Sequence, residues 1–289
     1  MIDYRLNINN KYNLINYEKC RKLINNNKIE LLDSGKQAEI FKVFSNDCGS
    51  VIIKVPGKNT YNDRVNNAIF KKLILENIFF LRTNKLIKEN ICPNFVERID
   101  FIKEKKYLIF EYADGDCKKL LKNEINFPLL YSLILQVLMG ILSLNKILKI
   151  VHRDLHLGNI LYKKIKPEII FCYIVNEKKY YVKTYGYLFM IADFGNSAEI
   201  DYLKKNNQII NENIDVGFFT SKINNKIKNK ELSFSLFNKN KYEKEIIELY
   251  NILKNKNTIF ELLENIYNKY KFIDNSNNSN NICYFSINI

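Results

Sequence analysis

Tryptophan is absent from the 289 residues, histidine occurs twice and proline four times, and each shortage narrows what the chain can be. His152 and His156 are too few for a histidine-rich metal centre. The six cysteines, at 20, 48, 92, 117, 172 and 283, include no C-x-x-C pair, which excludes a zinc finger or ribbon. They read as reduced thiols, and nothing at the N-terminus looks like a signal peptide, so an intracellular setting is expected. The prolines stand at 56, 93, 128 and 167, and Arg153 is the last arginine, so any motif built on either residue type is barred from the C-terminal part.

Positive charge is in excess. Lysine and arginine number 45 against 31 acidic residues, a net +14. The lysines are spread along the chain, whereas a nucleic-acid footprint is a patch or stripe, so no dedicated nucleic-acid site is expected. One uncharged run, Phe127 to Leu144, just reaches the length of a membrane span. Ser132, Gln136, Gly140 and Ser143 interrupt it and lysines flank both ends, so it reads as a buried central helix, with no membrane span expected.

Periodicity divides the rest. Residues 1–28 are polar and form an N-terminal extension. Ile29–Leu32, Glu39–Phe44 and Val51–Val55 read as a three-stranded meander, Asn67–Lys88 as a helix, and Phe95–Ile102 and Tyr107–Tyr112 as two more strands. After Ala113-Asp114-Gly115-Asp116 the pattern turns mostly helical, which sets a boundary between a first unit at 29–112 and a second at 113–289. An extended β-hairpin is expected at about 165–190, from runs at 169–175 and 180–182. The asparagine-rich stretch near 275–281 reads as a loose tail. The fold class is α+β.

Both histidines fall in V-H-R-D-L-H-L-G-N-I-L, residues 151–161. Two imidazoles four apart on a helix can hold a metal when an acid lies between them as in H-E-x-x-H, but here the second position is Arg153. His152 is therefore read as a packing and hydrogen-bonding residue that shapes a loop. The stretch matches H-R-D-L-x-x-x-N at every fixed position, and I-A-D-F-G at 191–195 follows it.

With these two motifs the chain resembles the protein kinase superfamily. The resemblance implies a bilobal fold, a β-rich N-lobe and a mostly helical C-lobe, with ATP and Mg²⁺ (or Mn²⁺) between them. It implies that Asp154 orients the acceptor hydroxyl and takes its proton, while Asn159 and Asp193 hold the metal. V-I-I-K at 51–54 stands for V-A-I-K, so Lys54 is expected at the nucleotide phosphates, with Glu76 as its ion-pair partner in preference to Glu89. The phosphate-covering loop D-S-G-K-Q-A-E-I keeps Gly35, with Ala38 and Ile40 at the last glycine and valine positions. Phe110 is expected behind the adenine, the backbone from Glu111 to Ala113 along its edge, and Asp116 at the ribose. His156 sits where a phosphate-contacting lysine usually sits, and if it contacts the γ-phosphate as a cation, its replacement by lysine is expected to keep activity.

Some features depart from that pattern. A-P-E cannot occur without a proline after D-F-G, and Asp215 is the residue left to fill the structural role of the D-x-W aspartate. H-R-D-L-H-x-G-N-I-L, the long hairpin and C-P-N-F at 92–95 look like haspin-like kinases and kinases of large DNA viruses, of the poxvirus or giant-virus type. H-x-D-x-x-x-x-N is also similar to aminoglycoside, choline and sugar-lipid kinases. Phe194-Gly195 and the full H-R-D favour a serine/threonine protein kinase with a protein substrate, over a small-molecule phosphotransferase or a non-catalytic nucleotide-binding scaffold. Ser197 is a candidate phosphorylation site beside Arg153.

Overall fold

Alternating and continuous apolar runs build the first half of the chain around one antiparallel sheet. The structure is a computed structural model that describes residues 29–34, 38–45, 49–57, 63–122, 126–206, 208, 213–229, 236–255, 258–269 and 281–289. The N-terminal extension, Gly35 and most of the asparagine-rich stretch lie outside them. Strands β1 (Ile29–Ser34), β2 (Ala38–Ser45), β3 (Gly49–Pro56), β4 (Arg98–Ile102) and β5 (Tyr107–Glu111) form a sheet of order β1-β2-β3-β5-β4. Val43, Val51, Ile53, Ile102 and Ile109 cluster as a small core of their own, the β-branched residues a pleated face favours. The helix α1 (Asp63–Lys88) packs against β3 and β4. It begins before the expected Asn67, its first four residues, Asp63-Arg64-Val65-Asn66, offering one apolar residue as a sequence signal.

Phe95–Glu97 is not strand, contrary to expectation. Phe95 instead makes a single parallel bridge to Ile191, and Val96 donates its amide to the Ile191 carbonyl at 3.1 Å. Asn94 explains the fixed geometry of this corner. Its side-chain amide donates to the Phe189 carbonyl at 2.9 Å and to Gln136 Oε1 at 3.2 Å, and its Oδ1 accepts from Tyr173 at 2.8 Å. Buried polar atoms this fully paired specify one arrangement instead of costing stability.

After the short strand β6 (Gly115–Asp116) and the helix α2 (Cys117–Leu120), the uncharged run forms α3 (Phe127–Leu142). Asn126 starts α3 by accepting the Leu129 amide at 2.8 Å, and Pro128 occupies the first turn, where its missing N–H is not needed. The span through Ile147, which takes in Lys146, is long and apolar enough to cross a membrane, yet 94 % of its most apolar stretch is buried in the protein. It is a central core helix, as its sequence suggested. A Cβ added at Gly140 would come within 2.9 Å of the Ile191 side chain, so glycine lets α3 lie close to the strand that precedes the D-F-G segment.

Beyond α3 lie β7 (Ile150–Val151), β8 (Ile160–Lys164), β9 (Ile170–Val175), β10 (Lys178–Lys183), β11 (Tyr187–Ile191) and β12 (Ala198–Glu199). The helices α4 (Ile200–Lys205), α5 (Ile214–Lys228), α6 (Leu236–Lys254) and α7 (Ile259–Lys269) follow, and then β13 (Ile282–Ile287). The expected hairpin is β9–β10, turning at Asn176 and Glu177, both left-handed. It gains a third strand that the sequence reading missed, since β13 pairs in parallel with β9 from Ile282↔Ile170 to Ile287↔Val175.

Candidate active site

Each motif residue reaches the site from a different element. The β-sheet register sets Lys54 between Ile40 on β2 and Leu108 on β5. Across the space beneath, α1 presents Glu76, which is buried, and Lys54 Nζ donates to its Oε1 at 2.8 Å and its Oε2 at 2.9 Å. The alternative partner, Glu89, lies beyond the helix end and faces Lys85 at 3.7 Å. Lys54 Nζ also donates to Asp193 Oδ1 at 2.8 Å. Burial alone would lower the Lys54 pKa, but the charges of Glu76 and Asp193 win and hold it above the ordinary lysine value. Burial pushes the Glu76 carboxyl up to about 7, with the Lys54 charge opposing.

The segment that carries His152, Arg153 and Asp154 is held by Asp215 on α5. This buried carboxylate accepts the His152 amide at 2.7 Å on Oδ2 and the Arg153 amide at 2.8 Å on Oδ1. Arg153 has φ of 68°, a conformation that costs a non-glycine residue of order 1–3 kcal/mol and persists only where its surroundings impose it. The Asp215 carboxylate does so. His152 is fully buried, and its Nε2 donates to the Ala192 carbonyl at 2.9 Å. Burial lowers its pKa, so it is a neutral structural ring.

Asp154 and Asn159 are joined across the loop, since Asn159 Nδ2 donates to the Asp154 carbonyl at 2.9 Å. That bond leaves the Asn159 amide oxygen for another partner. The Asn159 carbonyl accepts the Ala192 amide at 2.9 Å, which sets Asn159 beside Asp193. Burial would raise the Asp193 pKa, but Lys54 outweighs it and keeps the carboxyl below its ordinary value. An amide oxygen and an ionised carboxylate suit a hard cation. Among the described residues no group of three or more His, Cys, Asp or Glu could hold a metal alone. These two donors would fit a hard divalent cation, the rest of whose ligands would have to come from outside the chain.

Asp193 has φ of 62° and opens the turn Phe194–Asn196. Phe194 faces the other way, its ring 4.8 Å from Phe80 and 5.2 Å from His152, while Phe80 lies 4.5 Å from Phe110. Phe80 is one helical turn beyond Glu76, so this column of rings ties the helix that carries Glu76 to the segment that carries Asp193. Arg82, further along α1, pairs with Glu199 on β12 at 2.7 Å and donates to the Leu148 carbonyl. β12 in turn pairs with β7 at Ala198↔Val151 and Glu199↔Ile150, and Ser197 Oγ donates to the His152 carbonyl at 3.3 Å.

At the other side of the cleft, Phe110 is buried and Ala38 and Ile40 are partly buried. The Glu111 carboxylate accepts from Lys163 Nζ at 2.9 Å and from the Glu97 amide at 2.8 Å. Ala113 is partly buried against the core, and the Asp114 amide donates to the Tyr162 carbonyl at 2.9 Å. Asp116 caps α2 by accepting the Lys119 amide at 2.8 Å. His156 is half-exposed. Its Nδ1 accepts the Gly158 amide at 3.1 Å, and its Nε2 lies 4.0 Å from Asp154 Oδ1.

Sequence reasoning missed Arg82, Lys163 and Asn196. The first two are charged residues among many, with no motif to single them out. Asn196 directly follows D-F-G, and its side chain reaches Asp154, a contact that only the folded turn reveals.

A bilobal α+β fold with a lysine–glutamate pair under its sheet, and an aspartate and asparagine on the loop below, is the architecture of a protein kinase. The family model for protein tyrosine and serine/threonine kinases matches residues 28–219. The chain belongs to that family. It is similar to Cell division control protein 2 homolog 3 of Trypanosoma brucei brucei, 31 % identical over 140 residues, or 47 % of this chain and 42 % of that protein. The chain thus spans less than half the length of this curated relative.

Proposed function

We propose that the chain is an ATP-dependent protein kinase that transfers the γ-phosphate to serine or threonine hydroxyls of a protein substrate. The observation that carries the reading is the ionic junction of Lys54, Glu76 and Asp193, with Asn159 hydrogen-bonded both to Asp154 and to Ala192, the residue before Asp193. In this reading Lys54 binds the α- and β-phosphates, Ile40 and Ala38 cover the nucleotide, and Phe110 closes the adenine pocket. The backbone at Glu111 to Ala113 bonds the adenine edge, and Asp116 turns to the ribose. The acceptor oxygen bonds to the γ-phosphorus, the bond to the β-phosphate oxygen breaks, and ADP leaves with that electron pair. Asp154 takes the hydroxyl proton. A Mg²⁺ or Mn²⁺ ion held by Asn159 and Asp193 would neutralise phosphate charge.

His156, C-P-N-F and the β9–β10 hairpin support a likeness to haspin-like and large-DNA-virus kinases. The buried thiols of Cys92, Cys117, Cys172 and Cys283 are unbridged, in keeping with an intracellular setting.

The test is γ-phosphate transfer with Mg²⁺ or Mn²⁺, comparing the native chain with Asp154→Ala and Asp193→Ala. Serine- and threonine-containing peptides, an aminoglycoside and a sugar-lipid are offered in parallel. Transfer to peptide that is lost in both variants supports the reading, and transfer only to a small molecule replaces it with a small-molecule kinase. A thermal shift with ATP but no transfer to any acceptor indicates a scaffold.

A further inference from the structure

Asn196, the residue after D-F-G, joins the loop carboxylate to the helix that carries Glu76. Its Nδ2 donates to Asp154 Oδ2 at 3.1 Å, and its Oδ1 accepts from Lys72 Nζ at 3.4 Å. Lys72 lies one helical turn before Glu76 on α1. The two neighbours fix the orientation of the amide. Turned over, it would set its oxygen against a carboxylate and its NH₂ against an ammonium.

We infer that Asn196 is a positioning residue for phosphoryl transfer that acts through Asp154. By bonding Oδ2 it fixes the rotation of the carboxylate and leaves Oδ1, the oxygen that faces His156 Nε2, to meet the acceptor hydroxyl. Through Lys72 the same amide senses whether α1 is in the position that joins Glu76 to Lys54. The side chain is exposed at the turn, so its role does not come from packing. The inference rests on the phosphotransferase reading above.

Steady-state transfer from ATP to a serine- and threonine-containing peptide mixture tests it on the full chain. Asn196→Ala should lower kcat about tenfold with the KM for ATP changed less than about twofold, the mark of an interaction used in the transition state. Asn196→Asp is isosteric but places a carboxylate against Asp154, and should lower kcat more, by about a hundredfold. Added to Asp154→Ala, the Asn196→Ala change should alter the residual rate by less than about twofold, because its effect runs through the missing carboxylate. Both single variants should melt close to the native chain. Native kcat in Asn196→Ala, a smaller loss in Asn196→Asp than in Asn196→Ala, or an undiminished loss in the Asp154→Ala background overturns the inference while the kinase reading stands. A native chain that transfers no phosphate overturns both.

Discussion

Lys54 Nζ lies 2.8 Å from Glu76 Oε1 and 2.8 Å from Asp193 Oδ1, so a single ammonium joins β3, α1 and the segment after β11. An ammonium between two carboxylates stays protonated. Glu76 is the member that responds to pH, because burial pushes its carboxyl up to about 7 against an ordinary 4.5.

The sign of the pH effect on stability follows. A carboxyl whose pKa is higher in the folded than in the unfolded chain stabilises the fold most below about 4.5, and that contribution is lost as the pH rises through about 7. His152 acts in the opposite sense. Its lowered pKa gives stability that is present above 6.5 and is lost on acidification. Comparison with Glu76→Gln separates the two. The melting temperature of the native chain relative to that variant should fall between about pH 5 and pH 7.5. Parallel pH curves in scanning calorimetry would show that Glu76 titrates alike in both states.

His156 has two jobs that substitution can part. Nδ1 accepts the Gly158 amide, and a Cβ at Gly158 would stand 3.1 Å from His156 Cε1, so ring and glycine fit each other. Lysine cannot accept that bond. His156→Lys should therefore lose a cap worth about 0.5–2 kcal/mol, a cost to stability that is separate from the expectation that lysine keeps activity. His156→Asn should keep most of the cap but lose the group that faces Asp154. Thermal melting and transfer rate, measured on both variants, should rank them in opposite orders. A common order would refute the division.

Asp215 supports the loop from a distance. Asp215→Ala leaves the amides of His152 and Arg153 without their acceptor, at about 1–3 kcal/mol for each unsatisfied buried group. The expected loss in urea unfolding is thus about 2–6 kcal/mol, with a fall in kcat as the left-handed Arg153 backbone relaxes. Asp215→Asn retains one acceptor oxygen and should lose about half as much. Equal stability of Asp215→Ala and the native chain would mean that the loop holds its shape unaided.

These residues differ in how far the sequence disclosed them. Lys54, Asp154, Asn159 and Asp193 stand in recognisable motifs, and the fold links them through the Lys54–Asp193, Ala192–Asn159 and Asn159–Asp154 hydrogen bonds. Glu76 needed a choice, which helical position alone could narrow. Asn196 and Arg82 act through contacts between segments 42 and 117 residues apart, and no local pattern marks such partners. β13 was overlooked for a different reason. Cys283, Phe285 and Ile287 alternate with exposed residues as a half-buried strand should, but they follow the polar run near 275–281 that reads as tail, and no motif marks them.

β13 is a structural part of the fold, and Phe285 tests this. Its ring is buried, 5.3 Å from Phe171 edge-on and 5.6 Å from Tyr173, whose hydroxyl bonds Asn94. The next amide, Ser286, donates to the Asn90 carbonyl at 3.0 Å, just beyond the end of α1. The strand therefore touches both the hairpin and the end of the helix that carries Glu76. Phe285→Ala should cost about 3–5 kcal/mol, as large-to-small changes in a packed core do. Tyr284→Ala, half-exposed on the opposite face, should cost within about 0.5 kcal/mol. Hydrogen exchange should quicken in Phe285→Ala at β9 and at the Ser286 amide before it quickens at α3, since a strand added at a sheet edge opens locally before the central helix does. If the two variants unfold alike, the alternation along β13 does not reflect a buried face, and the strand assignment fails.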